Sequence, residues 1–139
     1  MNDVKLFELL TEISCHTAPA SKKATPLVAA IVYKGDILTL GAAKRKTHPL
    51  QKKYGTTIFN FWLHAEIDAI QKAQRKNIDL SKCSIYVCRV KNFIIDNSFK
   101  QGWGMAKPCA GCESAIFAFG IKKTLWTVDG LMLKFDAST

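Results

Sequence analysis

The sequence predicts an α/β fold in which helices cover one mixed sheet of five strands. Three observations lead there. Three segments read as helices: 3–15, 64–76 and 109–119. Five short runs rich in apolar and β-branched residues lie between and after them, at 27–33, 37–42, 84–90, 123–128 and 131–135. The resulting order, α-β-β-α-β-α-β-β, interleaves helices with strands, as a helix–sheet sandwich requires.

The first helix rests on Val4, Leu6, Phe7, Leu10 and Ile13 at helical spacing, with Asn2 or Asp3 as its N-cap. Residues 16–26, with Pro19, Ser21 and Pro26, read as a loop. Lys34-Gly35-Asp36 turns the strand 27–33 back into 37–42 as a hairpin. Residues 43–61 read as a long basic loop that carries Lys44, Arg45, Lys46, His48, Lys52 and Lys53. A loop of that length in a compact domain is usually functional or disordered. It is either a solvated charge run or a phosphate-binding lip, and Phe59, Phe61 and Trp62 at its end either pack in the core or stack on a base.

The helix 64–76 has a narrow apolar face of Ala65, Ala69, Ile70 and Ala73, and basic residues at its C-terminal end. The run 84–90 is apolar on both faces, which places it centrally in the sheet. Residues 91–107 read as a second long connection in which Phe93–Ile95 extend the strand and Gly102-Trp103-Gly104 is loop. Gly120 stands at the C′ position of the helix 109–119. Asp129-Gly130 predicts a tight hairpin between the last two strands.

At 139 residues and 48% apolar composition, the chain is long enough for a core and reads as one domain over 1–139. It has no apolar run of the ~18–20 residues that span a membrane and no signal-peptide pattern. The expected location is therefore cytoplasmic, with no membrane partner. Five cysteines, an odd number, suit ligands or buried thiols better than disulfides. A formal net charge of +9 favours anionic partners: nucleotide phosphates, nucleic acid or acidic surfaces.

The chemistry concentrates in His64-Ala65-Glu66 and Pro108-Cys109-Ala110-Gly111-Cys112. One histidine and two cysteines can bind zinc, and three protein ligands leave a fourth position for water, which is the mark of a catalytic site. Cys109 and Cys112, at i and i+3 on a helix start, face one side, where free N–H groups favour thiolate. Glu66 lies beside the ligands as a proton carrier. The competing reading is a structural zinc site completed by His48, His16 or Cys88.

With these residues in place, the chain resembles the cytidine deaminase-like superfamily over about residues 3–135. HAEIDAI and PCAGCESAI carry the resemblance, and KTHPLQKKYG before the first motif is similar to small deaminases of bacteria and their phages. The resemblance implies a three-layer α-β-α sandwich around the five-stranded mixed sheet. It implies zinc held by His64, Cys109 and Cys112, Glu66 as catalytic proton shuttle, and the backbone N–H of Cys109 as an oxyanion donor. It also implies a homo-oligomer. Many relatives end the second strand in G-x-N, whose Asn contacts sugar or base; here the stretch is Gly41-Ala42-Ala43, so recognition must differ. Asn60 and Thr57 lie near enough in sequence to substitute, and Lys44, Arg45, Lys46, Phe61, Trp103 and Ala65 complete the expected substrate contacts. Val128-Asp129-Gly130-Leu131 leaves no room for a helix between the last strands, as in the branch that includes enzymes acting on free nucleosides. The expected reaction is hydrolytic deamination of cytosine in a free nucleoside or nucleotide, with deoxycytidylate favoured by the basic loop. The alternatives are cytosine or adenine in single-stranded DNA or tRNA, and another small amine-bearing ring such as guanine or a modified nucleoside.

Overall fold

The computed structural model describes residues 2–16, 26–55, 62–130 and 134–138. Helix α1 spans Asp3–Cys15, and the Asn2 side chain accepts the Lys5 N–H at 2.9 Å as its N-cap. Strands β1 (Leu27–Tyr33) and β2 (Asp36–Ala42) form the expected hairpin. Helix α2 (Pro49–Tyr54) precedes α3 (Ala65–Arg75), and a short 3₁₀ turn at Leu80–Lys82 leads into β3 (Ser84–Ile95). Then come β4 (Ser98–Gly104), α4 (Ala110–Ala118), β5 (Lys123–Thr127) and β6 (Phe135–Ser138).

The main path of the sheet runs β2-β1-β3-β5-β6. Among the described residues only β3 and β5 pair in parallel; the other pairs are antiparallel, so the sheet is mixed. Side chains alternate between two cores with the period of two that a pleated strand imposes. Ala29, Ile31, Ile85, Val87 and Trp126 face α3 and α4. Val28, Ala30, Val32, Tyr86, Cys88 and Leu125 face α1, where they meet Leu6, Phe7 and Leu10. The Tyr86 hydroxyl donates to the Asp3 carboxylate, which ties the start of α1 to the central strand. These two cores make three layers, and β3 is central because both of its faces are covered.

The sheet has six strands, where the sequence predicts five. The stretch read as loop around Gly102-Trp103-Gly104 is β4, which returns antiparallel along β3 from Arg89↔Gly104 to Ile95↔Ser98. Arg89 pairs with Leu27 of β1 on one edge and Gly104 on the other, so β4 continues the β3 edge that β5 leaves. Its turn is Asp96-Asn97, both at positive φ (50° and 62°), the backbone that tight hairpins require and Asp and Asn tolerate. Most of this ribbon is exposed, so it lacks the alternating pattern that announces a half-buried strand.

Two other expectations need correction. The basic segment 43–61 is not all loop: it contains α2, with Pro49 at the helix start and His48 Nδ1 accepting the Leu50 N–H at 3.1 Å. Six residues are too few to show helical periodicity in a sequence. Asp129-Gly130 does not form a two-residue turn either. Gly130 bridges to Trp103, and the described pairing of β5 with β6 begins at Thr127↔Phe135; residues 131–133 of the expected last strand lie outside the described residues. The two strands are nonetheless antiparallel, and Val128 N–H donates to the Lys134 carbonyl at 3.2 Å.

Candidate metal centre and active site

Two helix starts meet on the α3/α4 face of the sheet. His64 is the N-cap of α3, with extended backbone (φ −77°, ψ 154°), and its side chain makes no capping bond. The imidazole is therefore available to point elsewhere. The segment before it is fixed by two backbone bonds, Lys44 N–H to Leu63 carbonyl (3.0 Å) and Leu63 N–H to Lys46 carbonyl (2.9 Å). Cys109 is the N-cap of α4 and accepts the Glu113 N–H on its carbonyl at 2.8 Å. One turn on, Cys112 is buried.

These three residues converge. His64 Nδ1 lies 3.4 Å from Cys112 Sγ and 3.7 Å from Cys109 Sγ, and the three donor atoms lie within 4.8 Å of one another. Two thiolates and an imidazole suit zinc, and the N–S edge of a tetrahedron with bonds of ~2.0–2.3 Å is about 3.5 Å, so the geometry fits. Among the described residues the group contains three donors and no fourth. His48 caps α2 instead, and Cys88 lies in the opposite core within 3.7 Å of Thr11 Oγ1, its thiol pushed up to about 11 by burial. His16 ends α1, on that same opposite face.

The electrostatics agree with a cation site. The Cys109 thiol is held down at about 3, first by the hydrogen bond from the Cys112 thiol and then by His64. Cys112, the donor of that bond and itself buried, is pushed up, while the bond to Cys109 raises His64. The triad thus keeps protons between its donor atoms that a metal cation would displace. Glu66 is only 5% exposed, and burial pushes its carboxyl up. Its carboxyl and the Cys112 thiol act on one another electrostatically. A carboxyl raised by burial holds its proton more readily than an exposed one, which suits a proton carrier.

The other expected site residues separate. Ala65, the first residue of α3, is fully buried beside His64. Lys44 Nζ lies 3.2 Å from the Asp68 carboxylate, which it shares with Lys72, so its side chain is tied to α3. The Arg45 guanidinium stacks 5.1 Å from the centre of the half-exposed Trp62 ring, and Lys46 is exposed. Thr57, Asn60 and Phe61, like Phe59, lie outside the described residues. Trp103 is misassigned by the sequence reading. It is 4% exposed in the α1 core, 5.6 Å from the Phe7 ring, and its Nε1 donates to Thr11 Oγ1 at 2.8 Å, across the sheet from the metal ligands.

Two residues at the site are missed by sequence reasoning. Asp68, one turn after His64, has a fully buried carboxylate that accepts from Ala42 N–H (3.1 Å), Gln71 Nε2 (2.9 Å), Lys44 and Lys72 (3.2 Å each). It locks the end of β2 to α3, and the fit is close: a Cβ added to Gly41 would stand 2.1 Å from the Ala65 carbonyl oxygen. Burial pushes Asp68 up, but the bonds from Gln71, Ala42 and the two lysines prevail and hold it below the usual carboxylate range. Its sequence signal is an acidic residue on the buried face of a helix with Lys72 four residues on. Gln51 on α2 has no such signal. Its side chain is 2% exposed and accepts the His64 N–H at 3.0 Å.

Comparison with known proteins agrees with this geometry. The family described as the cytidine and deoxycytidylate deaminase zinc-binding region matches residues 2–128. Among curated proteins none matches the chain. A solved structure of cytidine deaminase from Burkholderia pseudomallei is similar with a TM-score of 0.65 at 15% identity, over 100% of this chain and 93% of that one. The dCMP deaminase from the cyanophage S-TIM5 in apo form is similar at 0.56 and 20% identity, over 89% and 82%. The same enzyme in complex with dCMP and dUMP is similar at 0.50 and 22% identity, over 87% and 74%. Among the described residues no helix is long and apolar enough to cross a membrane.

Proposed function

The chain belongs to the cytidine and deoxycytidylate deaminase family, and from that premise we propose that it converts the cytosine of a free nucleoside or nucleotide, deoxycytidylate above all, to uracil. The reaction class, zinc-dependent hydrolytic deamination, comes with the family. The observation that carries the reading is the convergence of His64, Cys109 and Cys112 beside the buried carboxyl of Glu66. Zinc held by the three ligands supplies an activated water as nucleophile at neutral pH. Glu66 takes a proton from the attacking water and gives it to ring N3 as C4 gains its oxygen. It then takes the proton of the new C4 hydroxyl and gives it to the exocyclic amine, so that the C4–N bond breaks, ammonia leaves and the C4 carbonyl of uracil forms. The raised carboxyl suits both directions of transfer. The Cys109 N–H, at the head of α4, is the oxyanion-type donor, since first-turn amides lack intrahelical acceptors.

Support for a free substrate comes from the antiparallel β5–β6 pair, the arrangement of the branch that includes nucleoside enzymes. Support for a phosphate comes from the cations before His64. With Lys44 held by Asp68, the lip is made of Arg45, Lys46 and the exposed Lys52 and Lys53 of α2. The similar cyanophage enzyme binds dCMP and dUMP. Ala65, Thr57, Asn60 and Phe61 remain proposed substrate contacts, and Trp103 is no longer among them. We further place the protein in the cytoplasm, as a single domain over 1–139 that works as a homo-oligomer.

The test is ammonia release by zinc-loaded protein from cytidine, deoxycytidine, their mono- and triphosphates, guanine, adenosine and single-stranded DNA, with Glu66→Ala as control. Release from deoxycytidylate that the control lacks supports the reading. Release only from single-stranded DNA would transfer it to polynucleotides, which the net charge of +9 would then explain. Silence on every free pyrimidine compound would overturn it.

A further inference from the structure

We propose that α2 is a strap that holds the two halves of the metal centre in register, with Gln51 as a positioning residue for His64. The ligands come from chain segments 45 and 48 residues apart, so their geometry depends on how α3 and α4 are held together. Helix α2 touches both helix starts. Toward α3, the buried Gln51 Oε1 accepts the His64 N–H at 3.0 Å. His64 has extended backbone, so its N–H lies outside the α3 ladder, and a buried N–H without an acceptor is costly. Toward α4, the Tyr54 carbonyl oxygen sits directly over Gly111, between the two cysteine ligands. A Cβ added there would stand 2.1 Å from that oxygen. The Tyr54 ring also lies 6.2 Å from Phe119 at the other end of α4.

A six-residue helix has no stability of its own. Pro49, Lys52 and Lys53 of α2 are exposed, whereas Gln51 is buried and Leu50 and Tyr54 pack against the core that contains Leu63, Ala65 and Cys112. A glutamine is an expensive choice for a buried position unless its hydrogen bond is needed. The buried side of α2 is therefore directed at the metal ligands: one hydrogen bond to the backbone of His64 and one backbone contact inside Cys109–Cys112. Partners just outside a metal's ligands typically change affinity 10–100-fold.

The experiment measures zinc affinity of the full chain by competition with a chromophoric chelator, together with the cobalt(II) absorption that reports thiolate coordination. Gln51→Leu removes the acceptor, and Gln51→Glu keeps it. Zinc affinity of Gln51→Leu should fall about 10–100-fold, with an altered cobalt spectrum, and Gln51→Glu should restore both. A Gln51→Leu protein that is less stable to heat but binds zinc and cobalt like wild type has only a structural defect, and overturns the proposal. If Gln51→Leu does not fold, amide exchange in the wild-type protein decides: the His64 N–H should be protected, and exchange at the rate of an open amide would refute its bond to Gln51. The strap rests on the metal centre, and the two fail differently. Wild type that takes up no zinc removes the centre itself, whereas wild-type uptake with an indifferent Gln51→Leu removes only the strap.

Discussion

Asp68→Asn tests the reasoning that the site's scaffold is held by a buried charge. One carboxylate oxygen, Oδ2, receives the Ala42 N–H and both lysines, while Oδ1 receives Gln71. Asparagine keeps the shape and one acceptor oxygen. Its amide can face Gln71 if that side chain turns to present Oε1, which has no hydrogen-bond partner. The substitution therefore removes the charge and keeps most of the bonds. A hydrogen bond to a charged group is worth ~1.5–3 kcal/mol against ~0.5–1.5 for a neutral one, so three donors on Oδ2 lose about 3 kcal/mol in all. The lysines are 37% and 36% exposed and can turn to water, which lowers the expected loss to ~2 kcal/mol. The loss should appear as a Tm drop of about 6 °C at pH 7. The pH dependence carries the sign. Asp68 titrates below its unfolded value in the native protein, so its stabilisation is complete above pH ~4 and fades as pH falls through the lower native pKa. Urea unfolding of both chelator-treated proteins should show a gap at pH 7 that closes in the acid range. A gap that stays constant with pH, or is absent at pH 7, would refute a charge-based lock.

Glu66→Gln should retain zinc by elemental analysis yet lose about 10²–10⁴-fold in ammonia-release rate, because a proton carrier and not a ligand is removed. Gly41→Ala drives a Cβ into the Ala65 backbone, which no side-chain rotation relieves, and should cost at least ~1–3 kcal/mol in urea unfolding. Trp103→Phe deletes the bond to Thr11 across the sheet from the ligands; it should cost about 1 kcal/mol of stability and leave kcat/KM unchanged. Chelation should abolish turnover, and zinc alone should restore it; recovery with magnesium would contradict a site of two thiolates and an imidazole.

The sequence by itself determined the chemistry of the site, because that chemistry is local. Cys109 and Cys112 share a helix start through an i, i+3 spacing, and Glu66 follows His64 by two residues, so their donor atoms are grouped before any packing occurs. It determined most of the elements for the same reason: Asn2 caps α1, and short apolar runs rich in β-branched and aromatic residues mark β1, β3 and β5. Only the tertiary structure decided what these groups face. The β3–β4 ribbon is held by backbone pairing on an exposed edge and carries little apolar pattern. Helix α2 exists because Gln51 and Tyr54 find His64 and Gly111, partners up to 57 residues away. An aromatic between two glycines signals stacking as well as packing, and Trp103 was placed with α1 by the face of the sheet on which its strand set it. Likewise, nothing local distinguishes Lys44 from Arg45 or Lys46, whereas a fully buried carboxylate within 3.2 Å does. Covalent spacing fixes which side chains share an element; which elements meet depends on non-local burial, and that is where the contacts of α2 with His64 and Gly111 and the buried charge of Asp68 were decided.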